Sequence, residues 1–134
     1  MITNVLKIDG IVYDVAITEI SENFSILYSD NTGRTMSQGA RMTLDPLGTF
    51  FGHKVTFARR GDKYDEFDAL YEYLSKPRLN GVRLEAVHGQ TTIKYDAYVS
   101  QGERNLKKVE KGVARWDSFS ANFVPMEAQV IFGE

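Results

Sequence analysis

The stretch Asp62–Pro77, DKYDEFDALYEYLSKP, is the one part of this sequence with a clear helical period. Phe67, Leu70, Tyr71 and Leu74 recur at i, i+3, i+4 and i+7, so an α-helix puts them on a single apolar stripe. Asp65, Glu66 and Asp68 crowd the first turn, where the positive end of the helix dipole favours carboxylates. Asp62 or Asp65 is expected to cap the start, since a short side-chain oxygen accepts from the unpaired N–H groups. Lys76 suits the negative end, and Pro77 stops the helix. The spacing therefore predicts a helix over about 63–76. One amphipathic helix in a chain of strands must bury its stripe, and the available partner is a sheet.

The flanking sequence reads as strands and turns. Asn4–Ile8 and Ile11–Ile17 are β-branched runs around Asp9-Gly10, a pair that favours the left-handed angles of a type I′ turn, so a hairpin is expected. Alternation through Ile20, Glu22, Phe24 and Ile26 predicts a strand to about Tyr28. Ser29–Gly39 is rich in turn formers and reads as a long exposed loop. Arg41–Leu44 begins a returning strand, and Asp45-Pro46-Leu47-Gly48 reads as a turn. Thr49–Arg59 is a strand with Phe51, His53, Val55 and Phe57 on one face. After a turn at Asn80-Gly81, Val82–Val87 and Thr91–Val99 pair across His88-Gly89-Gln90. Gln101–Lys111 is polar and basic, a loop or a protruding hairpin tip. Val113–Val124 is the last long strand, with only its second half expected in the core. The final MEAQVIFGE is expected to add an edge strand.

Seven or eight strands joined by short turns, with one helix between the first four and the last three, imply an antiparallel system. The expected fold is mainly β, a β-sandwich or partly open antiparallel barrel with one flanking helix. With 134 residues and no linker or repeat, residues 1–134 are expected to form one domain.

The charge and residue types narrow the chemistry. A net charge of −2 gives no general attraction to nucleic acid or membranes. With no cysteine in the chain, disulfides and thiolate metal sites are excluded. The N-terminal MITNVLKIDG lacks the pattern of a secretory signal, and no apolar run is long enough to span a bilayer. His53 and His88 are far apart in sequence and show no HxH, HxxxH or HxE spacing, so each reads as a half-exposed strand or turn histidine. The acids Asp62, Asp65, Glu66, Asp68 and Glu72 do not match a calcium loop and read as a solvated helix face. No serine sits in a nucleophile elbow and no phosphate-binding loop is present. No catalytic, cofactor or metal residue is assigned.

Two stretches qualify as contact surfaces. The basic run Arg104, Lys107, Lys108, Lys111 and Arg115, near Trp116 and Phe119, could touch phosphates, although Glu103, Glu110 and Asp117 dilute it. The same run is opposite in sign to the acidic helix, so copies stacked head to tail could pair the two. The loop Ser29–Gly39 is flanked by Phe24, Ile26, Leu27, Tyr28, Met36 and Met42, and aromatic residues and Met are enriched at interface cores. Core packing of the same strand residues competes with that reading. The candidate interface set is Phe24, Ile26, Tyr28, Arg34, Met36, Met42, Arg104, Lys107 and Lys108.

The order of elements carries a resemblance. It begins with an LKIDG hairpin and an ISE segment leading into a polar loop with TGRTM. A long strand and the DEFDALYEYLSKP helix follow, then VRLEA and IKYDAYV, and last GVARWDSFSANFVP. Over almost its whole length the chain resembles small tail proteins of long-tailed bacteriophages and prophages, of the tail-tube and distal-tail type. It is short for a full distal-tail protein, which leaves its position in the tail open. The resemblance implies a β-sandwich with a flanking helix, made in the host bacterial cytoplasm and incorporated in the virion tail. It also implies assembly into a ring, often a hexamer, and docking on other tail proteins, with Ser29–Gly39 as the loop that reaches a neighbour. Two other classes stand beside it: a small-ligand-binding β-barrel, which needs a deep pocket where His53 or His88 converges with a carboxylate, and an adaptor binding nucleic acid through the basic run.

Overall fold

A computed structural model describes residues 5–36 and 38–133. Asn4 and Ser37, which fall inside ranges read above as strand and loop, lie outside the described residues. In chain order the elements are β1 (Leu6–Ile8), β2 (Ala16–Tyr28), β3 (Gly33–Arg34), β4 (Met42–Thr43), β5 (Pro46–Ala58), α1 (Tyr64–Ser75), β6 (Val82–His88), β7 (Thr91–Glu110), β8 (Val113–Pro125) and β9 (Val130–Ile131). The protein is mainly β with one helix, and every strand pair is antiparallel. The main sheet runs β1-β6-β7-β8-β5-β2, with β9 also on β5, and β3 pairs with β4 in a separate ribbon.

The sheet curls on itself. Two strands separate β5 from β6 in the sheet order. Even so, His53 on β5 reaches the Val87 carbonyl at 3.2 Å, and the Phe51 and His88 rings lie 4.8 Å apart. Of the two architectures expected, a single curled sheet with helix-covered seam matches the partly open barrel. The main strands join one continuous antiparallel sheet.

The helix closes the open side as its stripe requires. Phe67, Leu70 and Leu74 are buried, and Tyr71 packs against the same cluster. Phe119 on β8 is the meeting point. Its ring stacks on Phe57 at 4.8 Å and takes the edges of Phe67 at 5.1 Å and Tyr71 at 5.4 Å. Val55, Leu84, Ala86, Ala97 and Phe123 complete the core from the other strands. Only the second half of β8 enters it, as its alternation predicted.

Several local expectations change. The helix N-cap is Lys63, and no side chain caps it; the Asp62 backbone carbonyl accepts from Tyr64 N–H instead. Asp9 and Gly10 have positive φ (52° and 79°), as a type I′ turn needs. The expected hairpin nevertheless ends after the single bridge Ile8–Ile11. β1 pairs with β6, and the second arm is replaced by β2, which pairs with β5. Asp9 explains the preference for β6: its N–H donates to the Arg83 carbonyl (2.8 Å) and its carboxylate accepts from Arg83 N–H (2.7 Å) and from the Tyr73 hydroxyl. Pro46-Leu47-Gly48 is strand rather than turn. Gly48 sits so close to β9 that a Cβ there would lie 2.7 Å from the Val130 carbonyl. Met42–Thr43 does not begin β5 but folds back on β3.

Candidate functional site

The strand register fixes where the candidate interface residues go. β5 pairs with β8 only from His53 to Ala58, opposite Phe123 to Ser118. The first half of β5 therefore projects past one end of the shared sheet, together with the distal half of β2 and with β9. The first residues of β8, with the last of β7, project past the other end. The protein has two arms at opposite ends.

The first arm is apolar. Glu22 pairs with buried His53, so Phe24 opposite Phe51, and Ile26 opposite Thr49, lie on the same face, the one that becomes the core further along. Val130 opposite Thr49 extends this row across a third strand. No core lies beneath it here. Ser21 to Tyr28 are all exposed, Phe24 by 68% and Phe132 by 67%. Tyr28 leads into the β3–β4 ribbon, where Arg34 donates to the Ala40 carbonyl at 3.3 Å, Met42 is exposed and Met36 wholly so. Six of the nine candidates, Phe24, Ile26, Tyr28, Arg34, Met36 and Met42, thus gather on one arm and its tip.

Lys107 and Lys108 lie on the second arm, a hairpin turning at Lys111-Gly112, and Arg104 lies at its base opposite Phe119. Gln101–Lys111 is thus the protruding hairpin of the two forms expected. Arg104 is turned onto the helix: its guanidinium lies 4.0 Å from the Tyr71 ring centre and 4.1 Å from that of Trp116, and reaches Asp68 at 3.3 Å. Arg115 donates to the Tyr64 hydroxyl at 2.7 Å, and Lys108 pairs with Glu110 at 2.8 Å. One ion pair, Arg104 with Asp68, therefore joins the basic run to the acidic helix inside one molecule. Lys107 and Lys111 remain exposed.

The two histidines converge, which their sequence separation concealed. Glu22 Oε2 lies 3.2 Å from His53 Nε2 and 2.7 Å from His88 Nδ1. His53 Nδ1 lies 2.6 Å from the Tyr95 hydroxyl. Burial raises the Tyr95 pKa, so the phenol keeps its proton and donates it to Nδ1. His53 Nε2–H then donates towards Val87 O and Glu22. Burial lowers the pKa of His53, while its bond to Val87 O and the Glu22 charge oppose that shift. His53 is thus a fully buried neutral ring with both nitrogens engaged, not the half-exposed residue expected. The missed signal was its place between Phe51 and Val55 on the inward face. Among the described residues no group of three or more His, Cys, Asp or Glu is placed to hold a metal ion.

A cavity of about 340 Å³ opens at the barrel seam, lined by Leu6, Ile8, Val12, Val15, Phe57 and Leu70 with Arg60 at its edge. Arg60 is paired with Asp14 at 3.4 Å, and neither histidine lines the cavity. The convergence that a ligand-binding barrel needs is not found there. Among the described residues no helix is long and apolar enough to cross a membrane. Comparison with family models and with curated proteins finds no match.

Proposed function

We propose that this chain is a structural, non-enzymatic component of a long-tailed phage or prophage tail. It works by burying the β2–β5–β9 arm against neighbouring subunits, whether copies of itself or other tail proteins. The observation that carries this reading is the exposed apolar row Phe24, Ile26 and Val130 on an arm that projects past the core. Three narrow strands, of which β2 is exposed throughout and β5 only half-buried, gain little stability of their own, and contiguous exposed apolar surface marks a contact site. The order of elements quoted above supplies the tail assignment, and the arm supplies the mechanism. Catalysis finds no support in the buried, fully engaged His53.

Negative-stain electron microscopy of the purified protein, alone and co-expressed with the products of the genes that neighbour its own, tests the proposal. Rings or stacks of defined size are expected. A chain that stays a lone particle under both conditions contradicts it.

A further inference from the structure

We infer that two copies of this chain join edge to edge through β2, antiparallel and across a two-fold axis, so that each sheet continues into the other. This rests on the proposed self-association and adds to it a closed two-fold contact, which joins two subunits and is distinct from the head-to-tail contacts that a ring needs.

β2 is the terminal strand of the main sheet, and among the described residues nothing pairs with its outer side. The stretch between its two register shifts, Glu19–Leu27, is regular, roughly 30 Å of unpaired backbone at about 3.3 Å per residue. Native edges are usually blunted by lysine, proline, bulges within the strand or covering segments. The sequence AITEISENFSILY contains no Lys, Arg, Pro or Gly. Its inward carboxylate, Glu22, is held by His53 and His88 and does not guard the edge.

The opposite side of the same arm is treated differently. Where β5 runs past β8, the Gln129 side-chain amide accepts from Phe51 N–H at 3.0 Å and donates to the Phe51 carbonyl at 2.9 Å, as a neighbouring strand would. β9 covers the next residues. One side of β5 is sealed by the chain itself, while β2 on the other side is left open.

A strand of this length needs a partner of similar length. The sheet's other terminal strand, β1, has three residues, and β9 has two. Beyond Ala97 the side of β7 away from β8 is unpaired as well, but three register shifts break it and Lys107 and Lys108 guard it, so β2 is the long regular edge left to match β2. Charge then narrows the register to axes at Asn23, Phe24 or Ser25, where no two carboxylates lie opposite. Glu19 and Glu22 are its charged residues. An axis through Glu22 opposes two carboxylates, and one between Ile20 and Ser21 opposes Glu19 to Glu22; like charges directly opposite destabilise. An axis through Phe24 sets Glu22 against Ile26, Ile20 against Tyr28 and Phe24 against its own copy. Aromatic and aliphatic pairs of this kind stabilise antiparallel contacts.

The chain has no cysteine, so a single introduced thiol reports only contacts with its own copy. Asn23→Cys, Phe24→Cys and Ser25→Cys are made separately, with Lys107→Cys on the opposite arm as control. Under mild oxidation at least one of the first three is expected to give a disulfide-linked dimer and the control none. Light scattering on the reduced samples gives the assembly state. Oligomers that never cross-link at positions 23–25 overturn the two-fold pairing but leave self-association standing. Monomers throughout remove both. Amide hydrogen exchange on the unmodified protein avoids any folding defect of the variants: Glu19–Leu27 is expected to gain protection as concentration rises. Unchanged exchange there in samples that do associate overturns the inference.

Discussion

Glu22 and His53 face each other across the β2–β5 pair, with Oε2 3.2 Å from Nε2, and the same oxygen accepts from His88 at 2.7 Å. This contact draws the end of β6 towards β2 and β5, strands that are not its neighbours in the sheet. It holds the curl of the barrel at the base of the apolar arm.

Because burial lowers the His53 pKa, the unfolded chain binds a proton there that the folded chain refuses. The stability due to neutral His53 is therefore complete above the ordinary histidine value of about 6.5 and is lost as pH falls below it, by at most about 1.4 kcal/mol per pH unit. Urea unfolding at pH 7.5 and 5.5 checks this. The loss on acidification is expected to shrink in His53→Gln, and an unchanged loss would show that another group carries it.

Arg104 joins the basic hairpin to the helix through two aromatic rings and Asp68. Its side chain is about one-fifth exposed, so stacking and packing outweigh the screened ion pair. Arg104→Ala is expected to cost about 2 kcal/mol in chemical denaturation. Arg104→Lys should recover less than half, because an ammonium cannot stack as the planar guanidinium does. Full recovery by lysine would show that charge alone matters.

Gly81 has φ of +66°, and a Cβ there would lie 2.1 Å from the Ala97 carbonyl oxygen. Gly81→Ala must strain the backbone and displace β7 as well. A loss of about 2–4 kcal/mol is expected. Gly89→Ala has positive φ but open space around it, and about 1 kcal/mol is expected there. Thermal melts of the two variants should separate them clearly, and equal losses would contradict the close approach at Gly81.

Phe119 meets Phe57, Phe67 and Tyr71. Phe119→Ala empties the point where helix and sheet join and should cost about 3–5 kcal/mol. Near-ultraviolet circular dichroism together with urea unfolding checks it; a loss under 1 kcal/mol would place the core elsewhere.

What the sequence revealed and what it hid divide along the range of the interactions. The stripe Phe67, Leu70, Tyr71 and Leu74 sets its own period within one helix, so it was legible. So was the turn at Asp9-Gly10, since two residues determine its angles. The strand that β1 pairs with was not, because that choice depends on Asp9 bonding to Arg83, far along the chain. Pro46-Leu47-Gly48 has turn composition, yet β9 packing on Gly48 makes it strand. Glu22, His53 and His88 meet only because the sheet curls, and no local spacing records that. Gln129 standing in for a strand beside Phe51 left no pattern to find. Of the candidate contact residues, Phe24, Ile26 and Tyr28 lie on a strand as alternation suggested, but core packing competed with exposure because no local pattern shows that β2 runs past the core. Arg104 looked like surface charge because Tyr71 and Trp116 come together only in the fold.

The central claim is that the β2–β5–β9 arm exists to be covered. Sedimentation velocity of the unmodified protein against the double variant Phe24→Ser, Ile26→Ser tests it most directly, since both side chains lie outside the core and the variant should fold with nearly unchanged stability. The account predicts a concentration-dependent species larger than one chain for the unmodified protein and a monomer for the variant. A monomer in both cases at every concentration, or an assembly that the double substitution leaves intact, would contradict it.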